Sequence, residues 1–166
     1  GGGEMPAYSY IPELPDYEQQ VPEWASWPMV ERVEKARQLY EEAGYGPANS
    51  LVMELRYNTS ENHRRICLAI AAMWKQTLGV QTRLLNEEFK VFLENRTQKI
   101  VTEAIRAGWI GDFRDPYSFM EILYSTHGMN DTGYAGARVD DLIAASATEP
   151  DPATRLRMLA DPQGLM

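Results

Sequence analysis

The sequence predicts an α/β fold with a mixed, mainly parallel sheet flanked by helices. Residues 51–57 alternate apolar and polar side chains, which is typical of a strand. Residues 28–43 and 60–78 instead place apolar side chains three and four positions apart, as helices do. A second strand-like run at 80–85 follows directly, and the order strand, helix, strand predicts parallel pairing through a right-handed crossover.

The segment at residues 1–27 is rich in proline and in aromatic side chains. Proline blocks regular structure, whereas aromatic rings are usually buried. We therefore expect an extended strap over the α/β body formed by residues 28–166, with a disordered leader as the alternative. The sequence marks no second complete domain, so residues 1–166 are predicted to form a single partial lobe.

The first strand has the clearest pattern of the predicted elements. Leu55 and Tyr57 point to one face of it, while Glu54 and Arg56 point to the other. The helix that follows is predicted to begin after a cap at Ser60, because serine accepts hydrogen bonds from the first helical N–H groups.

The second half of the chain shows the same alternation more weakly. A short helix is predicted at 87–96, with Phe89 on its apolar side, and a third strand at 99–109. Residues 102–105 also fit a continuing helix. The remaining predicted elements are a helix from Pro116 to Leu123, a polar loop at 125–136, and two helices that start at Val139 and at Asp151-Pro152.

Composition excludes several classes of protein. The net charge of −8 argues against nucleic-acid binding, which needs clustered lysine and arginine. No apolar run approaches the ~20 residues of a membrane span, and no signal peptide is visible in this chain. Cys67 is the only cysteine, so the chain has no internal disulfide, and we expect Cys67 to be a small buried apolar residue.

The stretch at residues 104–119 has the features expected where a strand ends at a ligand. Gly108 and Gly111 have no Cβ, so the backbone at these positions can approach a ligand closely. Trp109 offers a large apolar wall with one hydrogen-bond donor. Asp112 is an acceptor at the carboxyl end of the predicted strand, where open α/β sheets bind their ligands.

Asp115 has a different interpretation, because a carboxylate before Pro116 fits a helix cap followed by proline at the first helical position. An enzyme is the alternative hypothesis, with Asp112 and Asp115 as acid and base and His127 beside them. The chain contains no nucleophile elbow, P-loop or zinc motif. We therefore expect no enzymatic activity, no cofactor and no metal.

The same stretch resembles the corresponding part of the periplasmic oligopeptide-binding proteins. These form the peptide-binding branch of the extracellular solute-binding proteins of family 5, which serve ABC importers. The resemblance implies one lobe of a bilobed periplasmic-binding-protein fold of type II, specifically most of the C-terminal lobe. The matching residues are Trp109 and Asp112 of a W-x-x-D pattern, Pro6-Ala7-Tyr8, Pro22-Glu23-Trp24, Tyr57-Asn58-Thr59-Ser60 and Gly128-Met129-Asn130.

The resemblance assigns roles to individual residues. In the family, the aspartate of the W-x-x-D pattern pairs with the α-ammonium group of the bound peptide, which implies this role for Asp112. Trp109 would line the cleft, and the backbone around Gly108 and Ile110 would run beside the peptide backbone. The binding role of these residues is an expectation from the family.

Two arginines and one phenylalanine complete the set of expected ligand-binding residues. The resemblance implies that Arg106 and Arg96 help to accept ligand carboxylates, which bidentate guanidinium groups suit. Phe89 stands where the family usually has a tryptophan that lines a side-chain pocket. The alternatives are a solvated helix-end charge for Arg96 and a core position for Phe89. The interval between the two arginines is one residue longer than the family pattern.

The resemblance also implies partners and a compartment. We expect short peptides as ligands, the membrane subunits of an ABC importer as partners, and an N-terminal lobe that this chain does not include. The location would be the periplasm of a bacterium, or the outer side of its membrane, with the export signal on a portion outside this chain. The alternative is a truncated, non-binding fragment or an interaction module that uses its exposed lobe interface.

Overall fold

The computed structural model of the protein describes residues 5–100 and 103–164. These residues form two compact units, each with its own hydrophobic core. The sheet unit is Ser26–Gly108, and the helical unit comprises the described residues of Gly1–Ala25 and Trp109–Met166. The single partial lobe predicted for residues 1–166 stays a prediction.

Among its described residues, the sheet unit contains three parallel strands in the order β2-β1-β3. Leu55 on the central strand lies opposite Leu84 on one side and Ala104 on the other. The predicted α/β fold with a parallel sheet and flanking helices is confirmed. The elements are β1 (Val52–Asn58), β2 (Gln81–Glu87), β3 (Ala104–Ile105), α1 (Met29–Glu42), α2 (Glu61–Leu78) and α3 (Phe89–Thr97).

Helix α2 covers one face of this sheet. Its first turn is capped as predicted, since the Ser60 hydroxyl accepts a hydrogen bond from the His63 N–H at 3.4 Å. Leu55, Tyr57 and Cys67 form the buried core under the helix. Burial raises the pKa of the Cys67 thiol, as expected for the predicted apolar role. Within the described ranges, no helix is both long and apolar enough to cross a membrane.

The opposite face of the sheet holds a polar cluster centred on Arg56. Its Nε donates to Glu54 Oε1 at 2.7 Å, and its Nη1 donates to Glu87 Oε1 at 2.8 Å. Asn95 Nδ2 of α3 donates to the same Glu87 oxygen at 2.8 Å. The alternation predicted for β1 is therefore confirmed. The polar side chains on this face of the sheet connect β1 and β2 to α3.

The predicted third strand at 99–109 is wrong in its length, because the structure contains only Ala104–Ile105 as β3. Lys99 has a φ of 55°, and its N–H donates to Arg96 O at 3.0 Å. Ile100 N–H donates to Asn95 O at 3.0 Å. This pair of bonds is the Schellman end of α3, so residues 99–100 belong to the helix terminus. Residues 101–102 lie outside the described residues.

The helical unit has three short helices around a buried apolar cluster. Ile11 and Tyr17 belong to this cluster with 0% and 8% exposure, so part of the predicted surface strap lies in the core. The predicted cap at Asp151 is confirmed, since its carboxylate accepts from Thr154 N–H at 2.8 Å. The elements are α4 (Tyr117–Met120), a 3₁₀ turn at Glu121–Leu123, α5 (Ala137–Ser146) and α6 (Pro152–Ala160).

Candidate functional site

The segment at residues 109–112 is folded against helix α4 by two hydrogen bonds to one residue. Trp109 Nε1 donates to Ser118 O at 2.7 Å, and Asp112 N–H donates to Ser118 Oγ at 2.8 Å. Ser118 is completely buried. The indole and the aspartate of the W-x-x-D pattern therefore share a single buried anchor.

Gly111 packs closely on helix α4 in this arrangement. A Cβ at this position would lie 2.7 Å from Phe119 Cζ and 3.3 Å from Ser118 Oγ. The sequence suggested that this glycine lets the backbone approach a ligand. In the structure, the close approach that Gly111 permits is to helix α4.

Asp112 presents a free carboxylate to solvent. Its side chain is exposed and has no hydrogen-bond or ion-pair partner within residues 5–100 and 103–164. The backbone N–H and C=O of Ile110 are likewise unpaired among the described residues, and the Ile110 side chain is 90% exposed. The Asp112 carboxylate and the unpaired N–H and C=O of Ile110 are thus only two residues apart, and a ligand could bind to both.

Asp115 lies just before α4, as the sequence predicted, although Pro116 occupies the N-cap position that was predicted for Asp115. Its Oδ1 accepts from the Tyr117 N–H at 2.8 Å, at the start of α4. Both carboxylate oxygens also accept from Arg155, at 2.8 and 2.7 Å, in a bidentate pair that ties α4 to α6. The acid–base pair considered for an enzyme therefore loses its second member, because Asp115 is bound to Arg155.

This pairing predicts a pH dependence of stability. Burial raises the pKa of Asp115, but the hydrogen bonds from Arg155 and Tyr117 outweigh it and lower this pKa below its ordinary value. The stabilisation is thus present above pH ~4, the unfolded value, and is lost as the pH falls through the lower folded pKa. Urea denaturation should show Arg155→Met less stable than wild type at pH 7, with the difference in the free energy of unfolding shrinking as the pH falls below ~4.

Arg138→Met is the matched control for this prediction, because Arg138 is an exposed arginine on α5. It removes the same charge and should change the free energy of unfolding little at either pH. A stability gap for Arg155→Met that is equal at pH 7 and pH 3 would contradict the assigned pairing.

Arg106 and Gly108 belong to the sheet unit, at the end of β3. The Arg106 N–H donates to Arg56 O at 2.8 Å, while its half-buried guanidinium has no hydrogen-bond or ion-pair partner in the described part of the chain. A Cβ on Gly108 would lie 3.7 Å from Arg106 Nη2, which is an ordinary contact. The Arg106 guanidinium is therefore available to a ligand. A larger residue would fit at position 108 without a steric clash, so packing does not explain why Gly108 is a glycine.

Arg96 and Phe89 lie on helix α3. Arg96 is half-buried and its Cζ lies 5.9 Å from the centroid of the Phe92 ring, so it is not the solvated helix-end charge considered from the sequence. Phe89 is 53% exposed, whereas Phe92 is 2% exposed. The core alternative for Phe89 is therefore wrong, and its role as a pocket wall stays a prediction.

The expected binding residues belong to both compact units. Trp109, Ile110 and Asp112 lie in the helical unit, and Trp109 and Asp112 share Ser118. The other four expected residues lie in the sheet unit: Phe89, Arg96, Arg106 and Gly108. Nothing in the sequence singles out Ser118, because a serine in the first turn of a predicted helix is ordinary.

His127, which the enzyme hypothesis placed beside Asp112 and Asp115, makes a hydrogen bond within its own loop. Its Nδ1 accepts from the Met129 N–H at 3.1 Å. Across the described ranges, no three His, Cys, Asp or Glu side chains are grouped so that they could hold a metal ion.

Comparison with known proteins adds an independent result. A family model described as bacterial extracellular solute-binding proteins, family 5 Middle, matches residues 1–131. The periplasmic oligopeptide-binding protein OppA of Salmonella typhimurium is 38% identical over 159 residues, which cover 95% of this chain and 29% of that protein.

Two solved structures are similar as well. The Escherichia coli murein tripeptide binding protein MppA matches with a TM-score of 0.92 and 33% identity, covering 98% of this chain and 32% of that chain. Haemophilus influenzae OppA in complex with RPPGFSPFR matches with a TM-score of 0.83 and 32% identity, covering 88% and 29%. The chain thus spans less than a third of the length of these relatives.

The family match covers most of the chain, and the structural similarity extends over nearly all of it. Both agree with the predicted resemblance and with the parallel α/β fold. The chain belongs to the bacterial extracellular solute-binding proteins of family 5.

Proposed function

We propose that this chain forms part of the peptide-binding cleft of a two-lobed solute-binding protein, which delivers oligopeptides to an ABC importer. Asp112 accepts the α-ammonium group of the peptide. The observation that supports this role is the exposed Asp112 carboxylate, which has no partner among the described residues although the nearby Asp115 is bound to Arg155. The relatives are named as oligopeptide-binding and murein tripeptide binding proteins, and this supports short peptides as the ligand class.

Lobe closure supplies the energy of this interaction. An ion pair at an exposed carboxylate contributes only ~0–1 kcal/mol, because water screens it. When a second lobe closes over the peptide and water leaves, the charge-assisted hydrogen bond becomes stronger. Asp112 alone is therefore a weak site, and its affinity for an amine depends on what covers it.

The main chain and the arginines supply the remaining contacts in this proposal. The unpaired backbone of Ile110 pairs with the peptide as an added strand would. Trp109 stays on Ser118 and presents its ring as a wall of the cleft. Arg106 and Arg96 donate hydrogen bonds to carboxylate groups of the ligand, and Phe89 lines a side-chain pocket. Main-chain and terminal contacts do not depend on the peptide sequence, so the protein accepts varied peptides.

The relatives also support a location and partners. OppA and MppA are both named as periplasmic peptide-binding proteins. On this basis we place this protein in the bacterial periplasm. There it releases its peptide to the membrane subunits of an importer. Its role is binding and delivery, with no chemical step on the peptide.

Acetylation of the peptide tests the proposed role of the ammonium group. We expect the full-length protein to bind a free-amine tripeptide at least about thirtyfold more tightly than its N-acetylated form, because removing one partner of an enclosed charge pair costs ~2 kcal/mol or more. Isothermal titration calorimetry measures both affinities. A peptide amidated at its carboxyl end but with a free amine is the control for general changes in charge. Equal affinity for the free and acetylated peptides would contradict the proposal.

A further inference from the structure

Ser118 uses both of its polar groups to hold the segment at residues 109–112. Its hydroxyl oxygen accepts from Asp112 N–H at 2.8 Å, and its carbonyl oxygen accepts from Trp109 Nε1 at 2.7 Å. Because helix α4 is only four residues long, its carbonyls all lie in the last turn, where helical partners are scarce. One buried serine thus fixes a backbone atom of Asp112 and the ring of Trp109.

Helix α4 is itself held firmly, which makes Ser118 a rigid anchor. The Ser118 N–H donates to Asp115 O at 3.1 Å, and the Asp115 carboxylate is bound by Arg155 of α6. Gly111 packs so closely on Phe119 that an added Cβ would lie 2.7 Å from the ring. The segment therefore has little freedom to move away from the helix.

The contact to Asp112 has a specific chemical consequence. Ser118 binds the backbone N–H of Asp112 and makes no contact with its carboxylate. Both carboxylate oxygens remain able to accept hydrogen bonds from a ligand, and the backbone that carries them is held on helix α4 by Ser118. A contact to the carboxylate itself would have competed with the ligand.

We infer that Ser118 is a positioning residue that orients Asp112 toward the ammonium group of the bound peptide. This inference depends on the proposed function, because it assumes that Asp112 binds the amine. Ser118 does not touch the peptide. It determines how strongly the protein prefers a free amine, since that preference requires the Asp112 backbone to be held where its carboxylate reaches the ammonium group.

Ser146 offers a matched control in the same unit. It is also completely buried, and its Oγ donates to Ile143 O at 2.7 Å within α5. Replacement of either serine by alanine removes one buried hydroxyl and one hydrogen bond, so both should lower stability to a similar extent. Of these two serines, Ser118 alone forms hydrogen bonds with residues 109–112.

The test compares the preference for a free amine in three full-length proteins: wild type, Ser118→Ala and Ser146→Ala. Calorimetry gives the ratio of the Kd for an acetylated tripeptide to the Kd for the free tripeptide. We expect Ser118→Ala to lower this ratio about threefold to tenfold, and Ser146→Ala to leave it unchanged. If Ser118→Ala does not fold, Ser118→Cys keeps the size and weakens the acceptor, and it should lower the ratio as well.

The outcomes separate this inference from the proposed function. A wild-type preference that Ser118→Ala leaves intact would overturn the positioning role alone. A wild-type protein with no preference for the free amine would overturn the proposed function and the positioning role together. Equal changes in the ratio for both alanine variants would also contradict the inference, because they would show a general effect of lost stability.

Discussion

Replacement of Asp112 by asparagine should weaken binding of free-amine peptides at least about thirtyfold in the full-length protein. Asparagine has nearly the same size and keeps the backbone N–H that donates to Ser118 Oγ at 2.8 Å. The change therefore removes the negative charge without removing the anchor of the segment. Peptides with an acetylated amino terminus should bind with nearly unchanged affinity, because they offer no charge to Asp112.

Asp141→Asn is the control for this prediction. Asp141 is an exposed carboxylate on α5, so its loss changes the net charge by the same amount without touching residues 109–112. We expect less than a twofold change in either affinity. A loss at Asp112→Asn that is equal for free and acetylated peptides would show that the carboxylate does not recognise the amine.

Replacement of Phe92 by alanine should lower the free energy of unfolding by about 3–5 kcal/mol. Phe92 is 2% exposed and is among the largest fully buried side chains of the described residues. Its ring also supports the Arg96 guanidinium, whose Cζ lies 5.9 Å from the ring centroid. Loss of the ring leaves a cavity beside α3 and removes the surface on which Arg96 packs. Urea denaturation of the chain measures the change.

Phe89 provides the comparison, because it lies one turn earlier on the same helix and is 53% exposed. Phe89→Ala should change the free energy of unfolding by less than ~0.5 kcal/mol. If Phe89 lines a side-chain pocket, the same variant should weaken binding of peptides with bulky side chains. Similar losses of stability at the two positions would contradict the assignment of Phe92 to the core.

The elements predicted well are those whose signals are local. The alternation of β1 placed Leu55 and Tyr57 in the core, and the cap at Ser60 marked the start of α2. Asp115 before Pro116 predicted a helix start, and its carboxylate accepts from the Tyr117 N–H there. Side-chain period and capping chemistry are determined within a few residues, so the sequence alone shows them.

The features that the sequence did not show depend on contacts far along the chain. Only two residues of β3 pair with β1, and Lys99 takes a left-handed conformation that its residue type does not indicate. Ile11 is buried because it packs against helices more than a hundred residues later. Ser118 became part of the candidate site only through hydrogen bonds that the fold creates.

A crystal structure of the full-length protein with a bound free-amine peptide would show directly whether Asp112 binds the ammonium group. The distance to measure is that between the peptide amine nitrogen and the nearest Asp112 carboxylate oxygen. We predict about 2.8 Å, the length of a charge-assisted hydrogen bond, with Asp112 N–H still bonded to Ser118. A peptide amine bound to another carboxylate, with Asp112 facing solvent, would contradict the proposed role of Asp112.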